Sequence, residues 1–150
     1  MSVRTLCNRE VIVAEAETSV AEAAVLMRRF HVGDLVVVNE GEARRPTGLV
    51  TDRDIVVEVL AEGLDPQTVT LADIMTRELQ TIAEEADFWE AIDQMRRNGV
   101  RRLPVVNQAG GLEGILTLDD ALELISEALS GLVGLVSRER DQEVSSRPAR

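Results

Sequence analysis

A long phrase in the first half of the chain is written again in the second half. Residues 18–39, TSVAEAAVLMRRFHVGDLVVVN, lie over 86–107, ADFWEAIDQMRRNGVRRLPVVN, at a constant offset of 68 positions. Met27 meets Met95, Arg28 and Arg29 meet Arg96 and Arg97, and Leu35 to Asn39 meet Leu103 to Asn107. The first copy then has the longer turn, EGEARRPT against QAGGLE, so the offset drops to 66 and GLVTDRDIV (48–56) falls on GILTLDDAL (114–122). Upstream, RTLCN (4–8) falls on ADIMT (72–76). A repeat of this length settles the organisation first. Each copy is roughly 50–60 residues, a size at which a lone core is marginal. The two copies are therefore expected to pack face to face about a pseudo-twofold axis.

Each copy reads β-α-β-β-α. A short strand opens it, VIVA at 11–14 and LQTIA at 79–83. Ser19 and Asp87 are N-caps, with Glu22 and Glu90 at capping-box spacing. Val20, Ala23, Ala24, Met27 and Phe88, Ala91, Ile92, Met95 recur at i, i+3, i+4, i+7, one apolar stripe per helix. LVVVN and LPVVN are β-branched runs ending in turn residues, and TGLVT and EGILT follow as their hairpin partners. Pro104 lacks an N–H and is assigned to a strand start or edge. A second helix begins near Asp52 and Leu118, and in the first copy it ends at Glu62-Gly63. The fold class is α+β (mixed α/β). Residues 3–62 form the first repeat, 63–71 a linker, 72–130 the second repeat and 131–150 a C-terminal extension. Within 124–136, LISEALSGLVGLV is a candidate extra helix, and the polar tail from Ser137 is expected to be disordered or frayed.

Composition narrows the function. Hydrophobic residues make up 45% and aromatics 2%, with no Tyr, so the core must be aliphatic. A net charge of −11 repels nucleic acid, and no basic stripe is interleaved with aromatics. The longest apolar runs fall far short of a membrane span, and MSVRTLCNRE has no signal-like apolar region, so a soluble cytoplasmic protein is expected, with no membrane partner. One Cys excludes an intramolecular disulfide, and one His, His31, leaves a His-based metal site or triad without ligands. There is no P-loop and no G-x-G-x-x-G after a strand. No catalytic and no metal-binding residues are assigned, and the chain is read as not an enzyme. Asp52, Asp54, Glu58, Asp119, Asp120 and Glu123 read as a solvated helix face rather than a cation site.

The duplicated G-x-x-T-x-x-D carries the chemistry. Thr51 and Thr117 end a strand and begin a helix, and Asp54 and Asp120 follow within the first turn. The unpaired N–H groups and positive dipole end of that turn suit a phosphate, with the Thr hydroxyl as a further donor. A carboxylate suits the two hydroxyls of a ribose. The plainer alternative is that Thr and Asp cap the helix and nothing more. For Gly48 and Gly114 the plain reading is a turn or a tight strand start.

At these residues the chain resembles the cystathionine beta-synthase (CBS) domain, which occurs as a tandem pair called a Bateman module. LADIMT, the helix start TIAEEADFWEAI, VRRLPVVN, and GILTLDDAL with GLVTDRDIV carry the likeness over roughly residues 3 to 130. TDRDIVVEVLAEGLDP also looks like small stand-alone bacterial CBS-pair proteins, the hypoxic-response type among them. The resemblance implies two repeats with up to two clefts for an adenosyl ligand: AMP, ATP, NAD or S-adenosylmethionine. One cleft would use Thr51, Asp54, the Leu49 backbone and the strand near Leu79. The other would use Thr117, Asp120, the Ile115 backbone and the strand near Val11. Gly33 and Arg101, just before the central strands, are also implied to face a cleft.

The copies diverge where charge matters. Gly33-Asp34 corresponds to Arg101-Arg102, and an Arg fork favours phosphate where an Asp repels it. Asp119 adds negative charge beside the second helix start, which suits an uncharged adenosine group, a Mg²⁺-bound nucleotide, or no ligand. Trp89 is a candidate base stack, dimer contact or core contact. Two functions follow: a non-catalytic sensor of an adenosyl ligand that signals to a separate protein, or an interaction scaffold with vestigial clefts. A homodimer through the helices, around Ala23–Met27 and Phe88–Met95, is expected with either.

Overall fold

The structure is a computed structural model and describes residues 1–41 and 43–147. Glu42 of the first turn and residues 148–150 of the expected tail lie outside the described residues. After a 3₁₀ turn (Val3–Thr5) come β1 (Val13–Ala14), α1 (Val20–Phe30), β2 (Asp34–Val38) and β3 (Pro46–Thr51). The helix α2 follows, one α-turn (Asp52–Asp54) continuing as a π-helix (Ile55–Leu60). Then come α3 (Leu71–Ile74), β4 (Ile82–Ala83), α4 (Phe88–Asn98), β5 (Arg102–Val106), β6 (Leu112–Thr117) and α5 (Leu118–Ser146).

The repeat in sequence is a repeat in hydrogen bonding. Each copy builds a three-stranded sheet, β1-β2-β3 and β4-β5-β6, with the first pair parallel and the second antiparallel. Asp34 pairs with Thr51 as Arg102 pairs with Thr117, and both hairpins carry a bulge at the same place, Val37/Val38 and Val105/Val106. The offsets of 68 and 66 are thus structural registers.

Local signals explain the helix ends. Ser19 and Glu22 close a reciprocal capping box, with Glu22 N–H on Ser19 Oγ at 3.2 Å and Ser19 N–H on Glu22 Oε2 at 3.1 Å. Asp87 caps differently from the expected box. It accepts from Trp89 N–H at 3.0 Å with one oxygen and from the Met1 ammonium at 2.9 Å with the other, and Glu90 takes no part. His31 ends α1 in the left-handed conformation at φ 54, the place Gly99 holds at the end of α4 at φ 64. His is one of the few side chains that tolerate this region.

Other expectations change. Pro104 lies buried in the middle of the central strand β5, not at its start or edge. The edge is displaced instead. In the first copy Val36 N–H donates to the Ile12 carbonyl at 3.2 Å, whereas Pro104 has no N–H for the corresponding Gln80. Pairing of β4 therefore starts only at Ile82. The opening strands are two residues each rather than four or five. The polar tail from Ser137 is not frayed: α5 runs through it to Ser146. Ala24, assigned to the apolar stripe, is exposed. Ala23, Met27, Phe88 and Met95 face their own cores, so they cannot supply a dimer contact; in those stretches Val25 and Trp89 are the large apolar side chains left outside, 64% and 65% exposed. That exposure also removes Trp89 from the core.

The two halves complete each other. Val3 N–H donates to Ala86 O and Arg4 N–H to Glu84 O, both at 2.9 Å, and Val3 is buried in the second core. Reciprocally, Leu71 N–H donates to Thr18 O and Ala72 N–H to Ala16 O, both at 2.9 Å, and Leu71 is buried in the first core. The residues ahead of each repeat's first strand thus belong to the core of the other repeat. A third cluster, built on Val36, Val38 and Ile115, joins the two sheets.

Candidate functional site

Both G-x-x-T-x-x-D segments form the same joint between strand and helix. Thr51 Oγ1 accepts the Asp54 N–H at 3.2 Å, and Asp54 Oδ2 accepts the Thr51 N–H at 2.8 Å. Thr117 and Asp120 repeat this at 3.1 Å each, and the Thr117 hydroxyl also donates to Asp120 Oδ2 at 2.6 Å. These are capping boxes, so the plain reading of the motif holds in full. It is not sufficient for a site, because Thr70 and Asp73 start α3 with the same box; there the Thr70 N–H holds the Asp73 carboxyl below its usual range. Among the described residues no hydrogen bond reaches Oδ1 of Asp54 or Asp120, so each retains one acceptor oxygen.

The glycines answer to close approach, not to a turn. A Cβ on Gly114 would lie 2.7 Å from Cys7 Sγ and 2.8 Å from the Asn8 carbonyl oxygen. A Cβ on Gly48 would lie 2.5 Å from Met75 Sδ. Cys7 and Met75 are counterparts in the repeat. The segment ahead of each repeat's first strand presses here on the other repeat's last strand, with Asn8 and Ile115 exchanging two backbone bonds at 2.9 Å and Thr76 N–H donating to Leu49 O at 2.9 Å. Burial pushes the Cys7 thiol pKa up. The Ile115 N–H and C=O are both taken by Asn8, so this residue offers a ligand surface rather than the free backbone group the resemblance implied.

Two clefts flank this joint, and they match residue for residue under the offsets. One, about 160 Å³, is lined by Asn8, Glu10, Val11, Ile12, Val32, Gly33, Asp34, Ile115, Thr117 and Asp120. The other, about 190 Å³, is lined by Thr76, Glu78, Leu79, Gln80, Val100, Arg101, Arg102 and Leu49, the counterparts of the first eight. The structure thus brings Thr117, Asp120, Ile115, Val11 and Gly33 together. It brings Leu49, Leu79 and Arg101 together as well, but Thr51 and Asp54 are not in that lining. Where Gly33 and Asp34 stand in the first cleft, the long side chains of Arg101 and Arg102 stand in the second, and the hollow ends short of Thr51 and Asp54. Both volumes lie below the ~300–1,000 Å³ usual for ligand pockets. An adenosyl group would have to spread either cleft or lie partly outside it.

The charges are shared across the axis. Asp34 and Arg102 are counterparts, and they pair with each other at 2.5 Å, both partly buried. This contact was not read from the sequence, although the offset of 68 places the two at equivalent positions. The expected Arg fork is thereby divided: Arg102 turns to Asp34, and exposed Arg101 lies 3.5 Å from Asp119. With the pair balanced, the first cleft keeps Glu10 and Asp120 and no basic side chain. The second keeps Arg101 against Glu78. Pro104 adds a further difference, since the Gln80 carbonyl lacks the strand bond that its counterpart Ile12 accepts. Among the described residues no group of three or more His, Cys, Asp or Glu side chains could hold a metal ion, and no helix is long and apolar enough to cross a membrane.

Comparison with known proteins agrees with the repeat. The CBS domain profile matches residues 3–61 and again 71–127. An uncharacterised protein of Methanopyrus kandleri is 36% identical over 124 residues, 83% of this chain, and the chain spans 62% of that relative's length. Hypoxic response protein 1 of Mycobacterium tuberculosis is 32% identical over 83% of this chain and 85% of its own. A crystal structure of Hypoxic Response Protein I with two coordinated zinc ions superposes with a TM-score of 0.72, covering 82% of this chain and 98% of that one at 32% identity. The CBS domain pair of protein MJ0100, solved with 5′-methylthioadenosine and S-adenosyl-L-methionine, superposes with a TM-score of 0.75 at 25% identity, covering 85% and 98%. Two matched profiles, two sheets in one register and two equivalent clefts lead to one conclusion: the chain belongs to the CBS domain family and is a tandem CBS pair.

Proposed function

We propose that the chain is a non-catalytic regulatory module that takes an adenosyl ligand between its repeats and signals to a separate protein. The Thr117 cleft carries this reading, because side chains of both repeats meet there beside Asp120, whose Oδ1 accepts no hydrogen bond among the described residues. A ligand bridging the repeats shifts their packing by its differential affinity for the two arrangements. Charge sorts the candidates. Glu10 and Asp120 would repel a phosphate and suit an uncharged 5′-methylthioadenosine or the cationic S-adenosylmethionine. The cleft with Arg101 suits the phosphate of AMP, ATP or NAD, with Mg²⁺ to offset Glu78. The reading keeps a cytoplasmic homodimer, with exposed Val25 and Trp89 as its contact. Titration calorimetry with S-adenosylmethionine, 5′-methylthioadenosine and AMP tests it. Asp120→Asn is expected to weaken the first two about tenfold, 1.4 kcal/mol, and to leave AMP binding unchanged. No heat from any of the three at tens of micromolar protein would refute it.

The second reading, a scaffold with vestigial clefts, draws on the small volumes and on the capping role of both Thr-Asp pairs. It predicts no heat from any adenosyl ligand and no effect of Asp120→Asn on partner binding.

A further inference from the structure

Beyond the second CBS match, α5 leaves the repeats. Every residue from Ile125 to Arg147 is exposed. Along this stretch Leu122, Ile125, Leu129, Leu132 and Val136 follow one another at steps of three, four, three and four, the a/d spacing of a coiled coil. They are 39–64% exposed. Nothing in the sequence favours such a helix standing alone. Most helical stability in proteins comes from packing an apolar face rather than from propensity, and Gly131 and Gly134 weaken this helix further. Yet its outer stripe is continuous and apolar, and it is exposed, whereas α5 meets the body through Leu118, Ala121 and Leu124.

We propose that α5 pairs with α5 of a second copy of this chain, the two helices running antiparallel. The centre of the stripe is complementary to itself in that orientation, with Leu122 falling opposite Glu139 at each end. Leu129 meets Leu132 of the second copy, and Ile125 meets Val136. A parallel pair would continue the same seam into Glu139 on Glu139 and Glu143 on Glu143, like charges face to face. The antiparallel register sets Asp119 of one copy beside Arg140 of the other and opposes the two helix dipoles. The area is adequate: with Val133 and Leu135 at the flanks, each copy would cover on the order of 600 Å², at the lower edge of the ~1,200–2,000 Å² total of stable interfaces. There is also room. A helix of 29 residues is about 43 Å long, which holds the two bodies at opposite ends.

Sedimentation velocity on the full chain at tens of micromolar, set against the variant L129E/L132E, tests the pairing. Both side chains lie off the repeats, so the variant should keep the wild-type thermal transition of the body. Its mass is expected to be half that of the wild type, whether or not Val25 and Trp89 hold a separate interface. Equal masses would overturn the proposal, and would leave the stripe to a helix of another protein. Orientation is read by cross-linking in a Cys7→Ser background. A mixture of Ile125→Cys and Val136→Cys chains should form a disulfide-linked dimer that neither forms alone. Cross-linking of either variant by itself would overturn the antiparallel register.

Discussion

Gly48 and Gly114 show how one residue type can be required by two different neighbours. A side chain at 114 meets the Asn8 carbonyl, which is fixed by two backbone bonds, as well as the Cys7 sulfur. At 48 it meets the side chain of Met75, which is flexible. Gly114→Ala is therefore expected to cost about 1–3 kcal/mol, as overpacking does, and Gly48→Ala distinctly less. Urea denaturation of the two variants checks the order. The recurrence of these glycines is plain in the sequence, but their reason is not. The residues that crowd them come from the segment ahead of the opposite repeat's first strand, 27 positions away for Gly48 and 106 to 107 for Gly114.

At the scale of elements, the short segments do more than their length suggests. The single turn of α3 supplies Leu71, which is wholly buried in the first core, and the 3₁₀ turn supplies Val3 to the second. Leu71→Ala is expected to cost about 2–5 kcal/mol. Because the two cores share these segments, it should lower a single calorimetric transition rather than split off one repeat. Two separated transitions would show that the halves fold apart. Periodicity made the long elements legible: α1, α4 and both hairpins fall where the apolar spacing and turn residues put them. It misled at Pro104, because a rule about strand edges cannot see that the neighbouring strand simply starts later. At the tail it was composition that misled. Polar composition argued for fraying, whereas the heptad spacing of Leu122 to Val136 is continuous with the helix that extends through it.

For the molecule as a whole, the pseudo-twofold axis is the organising feature, and Asp34 with Arg102 sits across it. Asp34→Arg would set two arginines together in a partly buried place and is expected to cost about 1–3 kcal/mol. Adding Arg102→Asp should recover most of that, since the pair is then remade with its ends exchanged. Thermal denaturation of the two single variants and the double variant measures the coupling. The Thr-Asp pairs and their matching clefts were legible because both copies write them. The unequal linings were legible only in part: Gly33 against Arg101 is visible in the letters, but the side-chain pairing that spends Arg102 on Asp34 depends on the folded distance between them.

The crossing of the opening segments reaches further than stability. Suppose one repeat existed by itself, with the residues that precede it still attached. Those residues could not fold back into their own core, because here they reach the opposite one. Two separate molecules would have to trade ends to close both. The tandem chain is the covalent form of that trade, so a protease cut within 63–68 would sever the backbone without freeing either half.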